Sequence, residues 1–425
     1  MISCADIRAL VQDAREDLTR LRRQLHQQPE SAFEEVKTAW LIRTELSRLG
    51  VAFEGGLAGG NGTVAHIPGG AQQGAQQGAQ QGAQQDANTN TKAAAHSIAQ
   101  AIALRADIDA LPMADESTNA WRSQIAGRAH TCGHDGHTVM LLGAARVLQQ
   151  VAQKFPLPNP VTFLFQPAEE TGMGAARMIA DGALDGSRIG PAVKRVYGLH
   201  AWPSLEVGCV ASRPGPMLAS AHAFEVTING RGGHAAWPHL AADPIMAAAA
   251  IVQALQTIVS REIDPLDAAV VTITAIHGGD AFNVIPPTVS MRGTTRAFTT
   301  SVCDHVNARV TKICESVAAS LGTCASVRFL PGTPATNNCP ETFARFERLA
   351  KVALGSDKVH PLHNPVMGGE DFSHYGVVAP ACFFALGQKR SNEHFPPLHH
   401  PTFDFNDDSI TTGVEMFCHL ALDNA

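Results

Sequence analysis

Residues 161–181 read VTFLFQPAEETGMGAARMIAD. The run 161–165 is short, apolar and rich in β-prone residues, which suits a buried strand, and 174–181 spaces its apolar residues as a helix does. A proline and two adjacent glutamates lie between them. Outward from this unit the same alternation continues: 137–151 is helix-patterned, 101–108 strand-like and 193–199 strand-like. Further upstream, 10–25 and 38–49 carry apolar residues at helical spacing, and after residue 331 the segments 342–354, 381–386 and 408–422 resume the alternation. Strands alternating with helices predict an α/β layer built on a central, mostly parallel sheet.

The middle third has a different order. A strand over 223–229, an Ala-rich helix over 244–260 capped by Asp243, strands over 269–276 and 289–298, a helix over 299–321 and a strand over 325–330 give β-α-β-β-α-β. That is the order of a ferredoxin-like sandwich, which can fold as a unit. The predicted organisation is therefore a first catalytic part over 1–214, an inserted domain over 215–331 and a second catalytic part over 332–425. Within the first part, 69–97 is a GAQQ repeat followed by small and polar residues, read as a flexible low-complexity surface loop. The apolar runs flanking it, 62–67 and 98–104, read as adjacent strands whose connection has expanded.

Composition narrows the function. A chain of 425 residues with net charge −7 lacks the excess of Lys and Arg that phosphate binding needs, so nucleic acid is not an expected partner. No uninterrupted apolar run of about eighteen residues occurs, and a membrane span is not expected. The amino terminus is charged and helix-patterned rather than signal-like. Nine scattered cysteines without a CxxC pair point to reduced thiols and a cytoplasmic setting. The sequon Asn61-Gly62-Thr63 is read as a chance match.

The densest chemistry is His130-Thr131-Cys132-Gly133-His134-Asp135-Gly136-His137, where a thiol, imidazoles and a carboxylate sit between glycines at the start of a helix. Thiolate and imidazole are ligands for zinc-class ions, and not all three histidines can serve one ion, so Cys132 and His134 are the first choices. The plain alternative is a polar loop with Thr131 or Asp135 as a helix cap. Glu169 and Glu170 follow the 161–165 strand, where α/β sheets place their sites, and can divide the work of ligand and general base. They can equally favour the start of the next helix through its dipole. His200 also follows a strand, and His399 and His400 lie in a proline-bounded loop. Asp107 and Asp109 alternate on one face of a strand end, either orienting ligand histidines or forming a solvated terminus. In the inserted domain His234 sits in a glycine-rich turn, and Asn283, Arg292 and Arg296 offer polar groups for a carboxylate, or for a solvated sheet face.

Taken in order, HTCGHDGHT (130–138), QPAEE (166–170), GLH (198–200), GRGGHAAWPH (230–239), FNVIPP (282–287), GGEDF (368–372) and LHHPTFDF (398–405) resemble the hippurate hydrolase and indole-acetyl-amino-acid hydrolase branch of the aminoacylase and carboxypeptidase G superfamily. The resemblance covers the chain apart from the GAQQ segment. It implies a phosphorylase/hydrolase-like catalytic domain with two divalent ions per subunit (manganese, zinc, cobalt or nickel), and a lid domain that also mediates homodimerisation. It implies Cys132, His134, Glu170, His200 and His399 as ligands, Glu169 as general base, and His234 as the lid histidine that polarises the scissile carbonyl across the dimer. Asn283 and Arg296 match positions near the substrate carboxylate, and Asp109 supports the ligands from behind. Many relatives carry His-x-Asp where this chain has Asp107-Ile108-Asp109, so Asp107 is left out of the ligand set. The expected reaction is metal-dependent hydrolysis of small N-acyl amino acids. The alternatives are a dipeptidase or carboxypeptidase using the same site, a cysteine-nucleophile amidase built on Cys132, and a metal-dependent binding protein without catalysis.

Overall fold

The helix Cys4–Gln27 begins six residues before the apolar spacing over 10–25 that predicts it. The Ser3 hydroxyl accepts the Asp6 N–H while the Asp6 carboxylate accepts the Ser3 N–H, a reciprocal cap that satisfies two helix-end donors. Its stripe of Ile7, Val11, Ala14, Leu18, Leu21 and Leu25 is buried. In the computed structural model, residues 2–70, 101–390 and 395–424 are described. The GAQQ loop reading falls, beyond its first two residues, outside the described residues.

The chain divides into two compact units: Met1–Gly215 with Asn337–His363 and His374–Ala425, and Pro216–Thr336 with Asn364–Ser373. The first is built on an eight-stranded sheet in the order Ala52–Leu57, Gly62–Ile67, Val161–Gln166, Ala101–Asp107, Val193–Glu206, Ala381–Lys389, Val210–Ser212, Val359–Pro361. Its centre, from Val161–Gln166 to Ala381–Lys389, is parallel. Those strands are nearly continuous apolar runs because they are covered on both faces. The helix His134–Ala152 is buried along almost its whole length, in one core with the stripes of Cys4–Gln27 and Ile410–Ala421.

One expectation fails here. The strands flanking the repeat are not neighbours: Val161–Gln166 lies between them, antiparallel to Gly62–Ile67 and parallel to Ala101–Asp107. Proximity in sequence suggested a hairpin, but the later strand Val161–Gln166 inserts between the two and takes up the pairing edges on both sides.

The second unit has the predicted order. Its sheet runs Ala269–His277, Thr288–Ala297, Ser220–Asn229, Cys324–Phe329, all antiparallel, with Pro244–Thr257 and Thr300–Ser320 sharing a core with it. This is the ferredoxin-like arrangement. The first of these helices continues as a π-turn to Glu262, and Pro244–Glu262 is long and apolar enough, by length and mean hydropathy, to cross a membrane. Uninterrupted apolar runs do not reveal it, because Gln253 and Gln256 break the run while the mean stays high enough for a span. Its Ala247, Ala248, Ile251, Leu255 and Ile258 are buried in the unit's own core.

Candidate metal centre

The parallel strands of the first unit deliver their carboxyl ends to one place, where open α/β sheets put their sites. Asp107 ends its strand opposite Gln166, and the Ile108 N–H donates to the Gln166 carbonyl. Gly133 takes a φ of +90° just before the helix that begins at His134, a conformation closed to most residues with a side chain. That turn presents Cys132 and His134 together. His399 adopts a left-handed backbone, φ +62°, and its N–H donates to the Thr131 carbonyl at 2.9 Å, which docks its loop on the Cys132 segment.

Around Cys132 the side chains converge. Its Sγ lies 3.4 Å from His200 Nε2 and 3.3 Å from His399 Nε2. Glu170 Oε1 is 3.4 Å from His399 Nε2 and 4.0 Å from His134 Nε2. Potential ligand atoms of Cys132, Glu170 and His399 lie within 4.8 Å of one another, as do those of His134, Glu169 and Glu170. Glu170 is common to these two groups, and His134 also falls in a fully buried group with Asp107, His137 and His200.

Hydrogen bonds on the far side of each imidazole decide which nitrogen is available. His134 Nδ1 faces the Asp109 carbonyl at 2.9 Å and its Oδ1 at 3.2 Å. His200 Nδ1 faces the Ala201 carbonyl at 2.9 Å. Both therefore donate from Nδ1 and turn Nε2 inward, the arrangement of a metal-ready histidine. His134 Nε2 is buried without a hydrogen-bond partner, a costly state unless a cation completes it. Asp109 Oδ2 also accepts the Glu170 N–H at 3.0 Å, so one carboxylate steadies two of the converging residues.

Electrostatics agree. Burial opposes charge on His134, yet Asp107, Asp109 and Glu170 outweigh it and raise its imidazolium to about 10. Burial, then Glu170, Glu169 and Asp107, push the Cys132 thiol well up. This is a pocket with surplus negative charge, suited to divalent cations.

His137, the third histidine of the motif, has a different task. Its Nδ1 donates to Asp107 Oδ1 at 2.6 Å and its Nε2 accepts the Ala201 N–H at 2.9 Å, so both nitrogens are used. Asp107 also receives Arg105 at 2.7 Å, while Arg105 Nε donates to Gln166 at 2.9 Å. This buried chain fixes the backbone next to His200. The sequence kept Asp107 out of the ligand set and left it between orienting histidines and a solvated strand end; it is buried and holds His137.

The inserted-domain residues lie in the second unit. His234 is exposed, its Nδ1 accepts the Ala236 N–H at 3.1 Å, and its ring sits 4.8 Å from Trp237. The Asn283 carbonyl accepts the Ala235 N–H at 3.0 Å, so Asn283 is brought beside His234. Arg296 is elsewhere, near the far end of Thr288–Ala297 and half-buried. Arg292 faces Glu225 at 3.6 Å. Asn61, the sequon residue, is buried and donates to Glu35.

Comparison with known proteins bears on the same region. Residues 103–423 match the profile described as Peptidase family M20/M25/M40. The chain is similar to IAA-amino acid hydrolase ILR1-like 2 of Arabidopsis thaliana, 36% identical over 95% of this chain and 84% of the relative. It is similar to N-acetylcysteine deacetylase of Bacillus subtilis (strain 168), 34% identical over 95% of this chain and 96% of that protein. Among solved structures it resembles the Bacillus subtilis YXEP protein, a dinuclear metal binding peptidase from the M20 family, with TM-score 0.76, 29% identity and coverage of 97% and 98% of the two chains.

Proposed function

The chain belongs to peptidase family M20/M25/M40 and is a metal-dependent amide hydrolase, and from that premise we propose that it cleaves N-acyl amino acids to a carboxylic acid and a free amino acid at the Cys132–Glu170–His399 and His134–Glu169–Glu170 groups. The observation that carries the reading is Glu170 shared between two ligand groups with a second carboxylate, Glu169, beside it. Cys132, His134, Glu170, His200 and His399 would hold two divalent ions. When bound, such ions polarise the amide carbonyl and make water acidic enough to attack near neutral pH. Glu169 takes the proton from the attacking water and passes it to the leaving amine. His234, contributed across a homodimer, donates from Nε2 to the developing oxyanion. Its Nδ1 is engaged as an acceptor, so the proton sits on the outward nitrogen. Asn283, beside His234, is the candidate to receive the substrate carboxylate; Arg296, near the far end of Thr288–Ala297, is not grouped with it.

Finer features belong to the same proposal. The ions are drawn from manganese, zinc, cobalt and nickel, all of which accept mixed thiolate, imidazole and carboxylate sites. Nine free cysteines support residence in the reducing cytoplasm.

The test is amine release from benzoyl- and acetyl-amino acids and from glycyl dipeptides, before and after chelation and reloading with manganese or zinc, with Glu169→Gln run alongside. Metal-restored cleavage of the acyl amino acids, lost in Glu169→Gln, is expected. Preference for the dipeptides would replace the substrate assignment with a dipeptidase, and full activity in Glu169→Gln would remove it as the base.

A further inference from the structure

Glu35 lies far from the ligand motifs in sequence, yet its carboxylate is fully buried behind the corner that carries Glu169 and Glu170. Its Oε1 accepts the Ala168 N–H at 2.9 Å and the Phe33 N–H at 2.9 Å, and its Oε2 accepts from Asn61 Nδ2 at 2.9 Å. Ala168 and Phe33 both adopt left-handed backbones, with φ of +58° and +65°. Non-glycine residues rarely do so unless their surroundings impose it, and such residues gather at functional sites. One carboxylate oxygen thus ties down two of them.

The rest of the corner is tight. The Ala168 carbonyl accepts from Thr171 Oγ1 at 3.1 Å and from the Gly174 N–H at 3.2 Å, and the Glu169 carbonyl accepts the Gly172 N–H at 2.7 Å. The loop that carries Glu35 also docks on the neighbouring strand end, where the Ala110 N–H donates to the Glu30 carbonyl at 2.8 Å, one residue past Asp109. Burial, and then the nearby charge of Asp109, push the Glu35 carboxyl up to about 7. A buried acid next to a like charge is an expensive way to fill space, and its three N–H donors are the compensation.

We infer that Glu35 is a positioning residue for hydrolysis: by accepting the Ala168 N–H it holds the left-handed corner that aims Glu169 at the reacting water. The inference rests on Glu169 acting as the base. Misplacing a catalytic group by about 1 Å costs on the order of 100-fold in rate. Glu35→Ala is therefore expected to lower kcat by about 100-fold, with KM within about threefold of wild type. Metal content after loading, read by mass spectrometry, stays at the wild-type value. Glu35→Gln restores kcat to within about fivefold, since its amide oxygen accepts both backbone N–H groups and the Asn61 amide can turn to receive its NH2. In the Glu35→Ala background, Ala168→Gly recovers part of the loss, because glycine enters the left-handed region without help. Should Glu35→Ala not fold, Glu35→Asp carries the same test: the shorter side chain keeps the charge but withdraws from Ala168. Wild-type kcat in Glu35→Ala or Glu35→Asp, or a loss that Glu35→Gln shares in full, overturns the inference. Glu169→Gln separates the two readings. If it is inactive while the Glu35 variants are normal, only the Glu35 inference falls; if it retains full kcat, the base assignment falls and the inference with it.

Discussion

The buried histidine on the first helix makes a quantitative prediction about stability. His26 is fully buried, with Nδ1 2.8 Å from Asp135 Oδ2 and Nε2 3.3 Å from Asp115 Oδ2. Each ring nitrogen faces a carboxylate, so the charged form is the one the site accommodates. Arg22, also buried, faces Asp135 at 3.3 Å, Asp404 at 2.5 Å and Asp407 at 2.8 Å, and it opposes a second positive charge on His26. Burial opposes that charge too, but the carboxylates of Asp115 and Asp135 win and raise His26 from 6.5 to about 9. A folded-state value above the unfolded one means the contribution is full below about pH 6.5 and lost as pH rises through about 9. At 1.36 kcal/mol per unit, the span corresponds to roughly 3 kcal/mol.

Buried thiols such as Cys382 and Cys418 also titrate differently on unfolding, so wild-type stability alone mixes several groups. The assay is therefore a double difference. Urea unfolding, followed by tryptophan fluorescence with chelator present throughout, is measured at pH 6 and pH 10 for wild type and for His26→Gln. The gap between the two proteins should shrink by roughly 3 kcal/mol between those pH values. A gap that changes by less than about 1 kcal/mol would mean that His26 is neutral in the folded chain, and that its two carboxylates are satisfied in another way.

Other substitutions probe the site directly. Asp109→Asn, which disturbs both the His134 Nδ1 contact and the acceptor for the Glu170 N–H, should weaken metal binding about 10- to 100-fold in a chelator competition. Gly136→Ala would put a methyl group 2.5 Å from the Phe405 ring and should cost about 1–3 kcal/mol of stability by chemical denaturation. His234→Ala should lower kcat by roughly two to three decades with metal content unchanged, as loss of one oxyanion donor does; an unaltered rate would take His234 out of the reaction.

What the sequence disclosed, and what it hid, follows from how far each interaction reaches. Cys132, His134, Glu169 and Glu170 stand in short motifs at a helix start and a strand end, so local pattern was enough to single them out. The β-α-β-β-α-β order of the second unit was readable because each element carries its own periodicity. Strand pairing is not local, and the placement of Val161–Gln166 between Gly62–Ile67 and Ala101–Asp107 could not be read from either run. Glu35 was missed for the same reason, and so was the task of His137, though it stands in the motif. Glu35 meets Ala168 across 133 residues and His137 meets Ala201 across 64, and neither contact has a periodic signature. Arg22 was hidden more thoroughly, since it occupies a position on the apolar stripe of its helix and looks like an interruption until its carboxylates are seen.

The order in which the chain is made gives the first unit's sheet a further meaning. The strand Ala381–Lys389 pairs with Val193–Glu206 on one side and Val210–Ser212 on the other, although the whole second-unit sheet lies between them in the chain. His399 follows it. During synthesis, therefore, Cys132, His134, Glu170 and His200 leave the ribosome long before the strand that seals their sheet and the last imidazole of the proposed set. A chain that has not yet reached residue 381 has a gap between Val193–Glu206 and Val210–Ser212 in its central sheet, and the proposed cation site still lacks His399.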